Sequence, residues 1–457
     1  MTSHRARGLR RWPMGRLLQD CKRGICADVF SQRLPWHAPP NRLSHALDSV
    51  HQAGTSLIDL TLANPTQALP TLYDDAVLQA LTALGSPSAL RYEPTPRGLL
   101  SCRRAISTYY ARRGIAVNPD HLVLCASTSE AYGWLFQLLC DPGDGVLFPQ
   151  PSYPLIDHLA RLNSVEVIPY PLRFCGDRFV LDRHSLVQQA TRAGESGSGE
   201  SPNKKGVRPR ALISISPNNP TGSVLRHSDR KNLWQVCKAG GLAWIVDEVF
   251  SDYVFPDSVP GTDLMLPSVL SDIPFSTSEP SETEAPLTFV LSGFSKVIGL
   301  PQLKLGWIHV GGPEPLRSEA QDRLELIADT FLSVNTPVQQ AAADLLALQP
   351  RLCAALRSHL QTSLGVLRHE LAGSAISPLP VEGGWHAVLR LPAVLSEEDW
   401  ALRFLQHDHV VVHPGYFFDL HDPGKAFAVI SLLPAHENIQ RGLQRLRDRV
   451  TQILNSE

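Results

Sequence analysis

Long hydrophobic runs are missing from this 457-residue chain; no apolar stretch is long enough to cross a bilayer as a helix. An excess of either charge is missing as well. Lysine and arginine number 42 against 44 aspartates and glutamates, a formal balance of −2, so no basic field exists to hold a nucleic acid. Cysteine is sparse: eight residues, with no C-x-x-C pair and no zinc-like spacing. They read as small buried hydrophobes in a reducing, cytoplasmic setting. Acidic residues are absent before Asp20, and the arginine-rich opening MTSHRARGLRRWPMGRLLQDCKRG lacks the apolar core of a secretory signal. Residues 1–28 therefore read as a disordered leader, with a transit peptide as the alternative. The nearest approach to a metal cluster is HDHVVVH, where strand alternation puts His407 and His409 on one face and His413 follows. Carboxylate or cysteine support at ligand spacing is lacking, so no metal is expected.

What is present is ordinary globular composition, 43% hydrophobic and 19% charged. Two polar segments interrupt it, 191–210 (TRAGESGSGESPNKKGVRPR) and 258–287, both read as flexible insertions. Between them apolar runs alternate with helical patterns. HLVLCAS, GVLFPQP, ALISISP, LAWIVDE and LTFVLSG read as strands; SEAYGWLFQLLC, SYPLIDHLARLN and SDRKNLWQVCKAG read as helices. Continuous apolar strands alternating with helices predict an α/β fold with a mostly parallel central sheet covered by helices. Sites in such sheets gather at the carboxyl ends of the strands, where Ser127, Asn219, Asp247 and Lys296 all fall. The texture after residue 310 predicts a smaller α+β domain, and the expected division is 29–75 with 330–457 against a large domain, 76–329.

SPNNPTG (216–222), VDEVF (246–250) and FSKVIGLPQLKLG (294–306) stand in order, each at a strand's carboxyl end. On these motifs the chain resembles the fold-type I pyridoxal-phosphate (PLP) enzymes, specifically the class I/II aminotransferases, over residues 29–457. The resemblance implies that Lys296 forms a Schiff base with PLP and shuttles a proton. It implies that Asp247 partners the pyridine nitrogen and that Asn219 bonds the phenolic oxygen. Ser127, Thr128 and Ser129 would cradle the phosphate at a helix N-terminus, assisted by Ser295 or Ser292 and by Lys304. Lys304 stands where arginine is usual, which keeps the charge and loses the bidentate fork. Tyr153 matches the aromatic that stacks on the ring. Tyr92 matches the tyrosine that reaches the neighbouring subunit's phosphate, which implies a homodimer.

Two departures stand out. Phe250 occupies a place where many relatives carry tyrosine, a lost donor worth about 1 kcal/mol. Val429 aligns with the arginine that clamps a substrate carboxylate; Arg390 and Lys425 are the nearby cations. If neither takes over, amines or larger amino compounds should compete well with α-amino acids. The implied activity is transfer of an amino group from an amino acid or amine to a 2-oxo acid by a ping-pong mechanism, with small-molecule partners and neither nucleic acid nor membrane. The same scaffold also serves β-lyases and decarboxylases. A PLP-binding regulator is the reading from another class, but the stretch ahead of residue 29 leaves no room for its DNA-binding domain.

Overall fold

In the strand Ala243–Asp247 every residue is buried, and alternate side chains enter two different cores. Trp244 and Val246 join one cluster with Leu124, Leu147, Leu212, Val290 and Trp307. Ala243 and Ile245 join another with Val123, Val146, Ile213, Phe289 and Ile308. A strand covered on both faces needs apolar residues at every position, which is why these segments show no polar alternation. The computed structural model describes residues 30–34, 36, 41–192, 207–255, 268–271 and 285–456. The chain divides into Met1–Pro39 and Pro40–Glu457, and all that follows lies in the second unit.

The main sheet has eight strands in the order Leu122–Cys125, Gly306–Gly311, Thr288–Gly293, Ala243–Asp247, Pro209–Ile215, Gly145–Gln150, Glu166–Phe174 and Phe179–Leu181. The five from Thr288–Gly293 through Glu166–Phe174 pair in parallel. Gly306–Gly311 runs antiparallel to both neighbours, so Leu122–Cys125 points the same way as the parallel set. Three strands were not expected: Glu166–Phe174, the short Phe179–Leu181 and Gly306–Gly311. Glu166–Phe174 contains Pro169 and Pro171 and is only partly buried, a composition that argues against an interior strand. Gly306–Gly311 follows the lysine-bearing turn directly, where a loop would have served equally well.

A second, four-stranded sheet, ordered Ser377–Pro378, His386–Leu391, Ala426–Ser431, His413–Pro414, is antiparallel throughout. The helices Gln349–Leu371 and His436–Leu454 pack with it through Leu356, Leu360, Leu443 and Leu446. Ile58–Asp59 pairs in parallel with Val410–Val411, tying an early segment to this late region. No helix among the described residues is long and apolar enough to cross a membrane.

The insertions lie largely outside the described residues, but their described parts are ordered. Pro209 and Arg210 already belong to a strand. Ser268–Leu270 is buried: Val269 N–H donates to Glu248 Oε1 (2.7 Å) and Arg230 Nη1 to the Ser268 carbonyl (3.1 Å). That apolar piece is core, held by two charged groups, rather than part of a surface excursion. The histidine alternation is also corrected. His407 lies in the helix Glu397–Asp408, and His409 caps that helix in the left-handed region (φ 56°), so the two do not share a strand face.

Candidate active site

Because the central strands share one direction, their carboxyl ends form one edge, and the connections after them meet there. Asp247 ends its strand, Asn219 follows Pro209–Ile215, and Lys296 follows Thr288–Gly293. Glycine makes the last approach possible. A Cβ on Gly293 would lie 3.0 Å from the Gly306 Cα, and one on Gly306 3.2 Å from the Ser292 carbonyl. The two backbones therefore close up, and Phe294 N–H donates to the Leu305 carbonyl at 2.8 Å.

Lys296 sits in the short helix Phe294–Val297, anchored where its carbonyl accepts the Tyr253 hydroxyl (2.7 Å). Its amine lies 4.2 Å from the centre of the Trp385 ring and 5.2 Å from that of Phe250. Burial pulls the amine's pKa down to about 8, with the nearby Asp247 carboxylate opposing. Burial likewise raises Asp247 to about 6, while donors from Val249 N–H (3.0 Å) and the Tyr132 hydroxyl (3.0 Å) favour its charged form. An amine and a carboxylate thus line one cavity with their titrations drawn towards neutrality.

A cavity of about 470 Å³ opens on this pair. Its wall includes Thr128, Ser129, Tyr153, Asn219, Asp247, Phe250 and Lys296. Thr128 and Ser129 begin the helix Thr128–Leu139. Ser127 caps it: the Ser127 hydroxyl accepts from Glu130 N–H (3.1 Å), and Glu130 Oε2 accepts from Ala126 N–H (2.6 Å). A helix N-terminus of this kind offers its first N–H groups to an anion. The Asn219 side-chain oxygen is buried without a partner among the described residues.

Other expected residues stand apart from this wall. Ser295 is partly buried beside Lys296, and Lys304 is exposed with a left-handed backbone (φ 52°). Tyr92 is 79% exposed and lines a separate groove with Trp134 and Gln339. Val429 is fully buried in an apolar cluster with Phe418 and Val388. Arg390 is exposed, and Lys425 pairs with Asp422. The cavity also holds Tyr132, Thr61, His386, Phe417 and Phe418, which no local pattern signals, and His413, which the sequence marked only as part of a histidine cluster. Tyr132 comes from the inner face of a helix 115 residues before its partner Asp247, and its spacing marks it only as core.

Comparison with known proteins agrees with this geometry. The family described as aminotransferase class I and II matches residues 55–446. The alanine aminotransferase of Mycobacterium tuberculosis is 25% identical over 344 residues, covering 70% of this chain and 71% of that protein. The glutamate-pyruvate aminotransferase AlaA of Haemophilus influenzae is 24% identical over 320 residues, covering 69% and 68%. In fold, the alanine aminotransferase from Pyrococcus furiosus superposes with a TM-score of 0.73 at 21% identity, covering 90% of this chain and 96% of that one. The chain belongs to the class I and II aminotransferase family. It is a PLP-dependent aminotransferase of the fold-type I architecture.

Proposed function

We propose that the cavity at the strand edge is the transamination site and that Lys296 and Asp247 are its catalytic residues. The reading rests on one observation: a depressed-pKa amine and a buried carboxylate share one cavity with the N-terminus of a twelve-residue helix. The donor set fits PLP. The helix N-terminus with Thr128 and Ser129 suits its phosphate; Ser127, which caps that helix, and Ser295 and Lys304, which lie outside the cavity wall, would have to reach it from beside the site. Asp247 suits a protonated pyridine nitrogen, and the Asn219 side-chain amide, donating through its Nδ2, suits the ring oxygen. Tyr153 offers its ring as a stacking face. When bound, PLP supplies a reactive aldehyde and a ring that withdraws electrons from the substrate's α-carbon.

The chain's own groups do the rest. Lys296 would hold the cofactor, and its neutral amine would take the proton from the substrate α-carbon and deliver it to the cofactor. Asp247, supported by Tyr132, keeps a carboxylate against the ring nitrogen. Phe250 and Trp385 shield the lysine from water, and their ring faces favour its ammonium form by about 0.5–2 kcal/mol. The overall reaction is a ping-pong transfer from an amino donor to a 2-oxo acid. We further assign a homodimer in which Tyr92 completes the neighbouring site; its exposure on the isolated chain supports this. Six described cysteines are unpaired, in keeping with a cytoplasmic setting.

Borohydride reduction of the PLP-loaded protein, followed by peptide mapping, tests the reading. Attachment at Lys296 is expected; attachment at Lys304 overturns it.

A further inference from the structure

The Trp385 ring, 4.2 Å from the Lys296 amine, comes from the segment Glu382–Trp385, which leads into the strand His386–Leu391 of the smaller sheet. Three sets of contacts fix that segment. Tyr253 supplies the first: its hydroxyl donates to the Lys296 carbonyl, its carbonyl accepts from Gly384 N–H (2.9 Å), and its ring meets Trp385 edge-on at 5.2 Å. Phe255 N–H supplies the second, donating to the Glu382 carbonyl at 2.8 Å. The third comes from the other side of the site, from the chain that returns after the Asn219 turn.

That returning chain engages both oxygens of Glu382. Val224 N–H donates to Oε2 at 2.9 Å, and Arg226 Nη2 donates to Oε1. Both charged side chains are only 5% exposed. The turn itself is closed by Gly222 N–H donating to the Asn218 carbonyl (2.8 Å) and Asn218 N–H to the Ser223 carbonyl (2.9 Å). It lies tight against the segment: a Cβ on Gly222 would sit 2.6 Å from the Gly383 carbonyl. A buried ion pair is a poor source of stability, because desolvation offsets much of the attraction, and an apolar pair of the same volume often serves as well. What this pair adds is direction. Charge-assisted hydrogen bonds to both carboxylate oxygens set one register between the two segments, and Trp385 follows Glu382 by three residues.

We propose that Arg226 and Glu382 are positioning residues of the site: their ion pair locks the Glu382–Trp385 segment to the Asn219 turn and so holds the Trp385 ring over the Lys296 amine. Neither side chain belongs to the cavity wall, so both act through Trp385. The proposal rests on the transamination reading of the same cavity. Without the pair, the ring loosens and water reaches the amine. Burial is the largest influence on that amine, Asp247 opposes it, and His386 is the other titratable group coupled to it. Hydration therefore returns the amine towards its ordinary titration.

The test labels the cofactor-free protein with trinitrobenzenesulfonate, which reacts with neutral amines, and follows Lys296 by peptide mapping as the pH is varied. Wild type is expected to show an inflection near pH 8. Arg226→Met and Glu382→Gln should each move it upward, so that labelling at pH 8, as a fraction of the high-pH plateau, falls about two- to fivefold. Trp385→Leu should do the same, and combining it with Arg226→Met should add little, because both act through one ring. Arg226→Lys keeps the charge and should retain most of the wild-type profile. Should Arg226→Met fail to fold, Glu382→Gln decides alone. An inflection left near pH 8 in the folded variants overturns the proposal, even where their melting temperatures fall, as does a Trp385→Leu profile equal to that of wild type. Labelling that responds as expected while no amino donor converts the PLP-loaded wild type overturns the transamination reading instead.

Discussion

In the proposed role the Lys296 amine must be neutral to attack a carbonyl, and its burial brings this about near pH 8 rather than near 10.5. The rate at which cofactor-free protein captures PLP should therefore rise with pH and level off above about 8; a rate still climbing at pH 10 contradicts this. The sign of the coupling is also fixed. Asp247 holds the lysine's pKa up, so Asp247→Asn should move that inflection to lower pH. Asp247→Ala should retain cofactor through the phosphate contacts yet lose turnover by several orders of magnitude, because the ring nitrogen loses its partner. Tyr132→Phe removes one of two donors to that carboxylate, at a cost of about 1 kcal/mol. It should slow turnover several-fold, well short of the Asp247→Ala loss. Lys296, Asp247 and Asn219 were legible because strand-end motifs carry them. Tyr132, Trp385 and His386 were not, because packing between distant segments brings them in and each looks locally like an ordinary core residue; His413 stood out only as a histidine cluster member, not as a wall of this cavity.

At the scale of elements, the wall containing Phe417 and Phe418 is a single 3-10 turn, Gly415–Phe418, held by one side chain. Glu397 accepts from Tyr416 N–H (2.6 Å) and Phe427 N–H (2.9 Å), and a Cβ on Gly415 would lie 2.8 Å from its carboxylate. Glu397→Ala leaves two backbone donors without an acceptor, so stability should fall by about 1–3 kcal/mol, measurable by urea unfolding. Unchanged stability would mean the turn is fixed by its aromatic packing. This turn also explains why the Val429 position was only half legible. Alignment showed that no arginine stands there, but not that Phe418 packs with the valine behind the cavity wall. Five of the eight main-sheet strands were readable from apolar runs bounded by turn residues; Glu166–Phe174 was hidden by its prolines, Phe179–Leu181 by its shortness and Gly306–Gly311 by the motif it follows.

At the scale of the whole molecule, the exposed Tyr92 and the cavity beside Lys296 belong to one reaction only if two chains share sites. Mixing a Lys296→Ala chain with a Tyr92→Ala chain should then restore one sound site per heterodimer, and no recovery above the separate variants would mean the sites are not shared. The main sheet brings strand ends from residues 125 to 293 to one edge, and the smaller sheet adds His386 and His413 to the same cavity, so the site depends on the full fold. The most direct measurement is a two-stage spectral titration of the PLP-loaded enzyme, first with an amino donor and then with a 2-oxo acid, on wild type and on Lys296→Ala. Wild type is expected to pass to the amine form and return, while Lys296→Ala does neither at a comparable rate; a Lys296→Ala protein that cycles like wild type would contradict the assignment of this cavity.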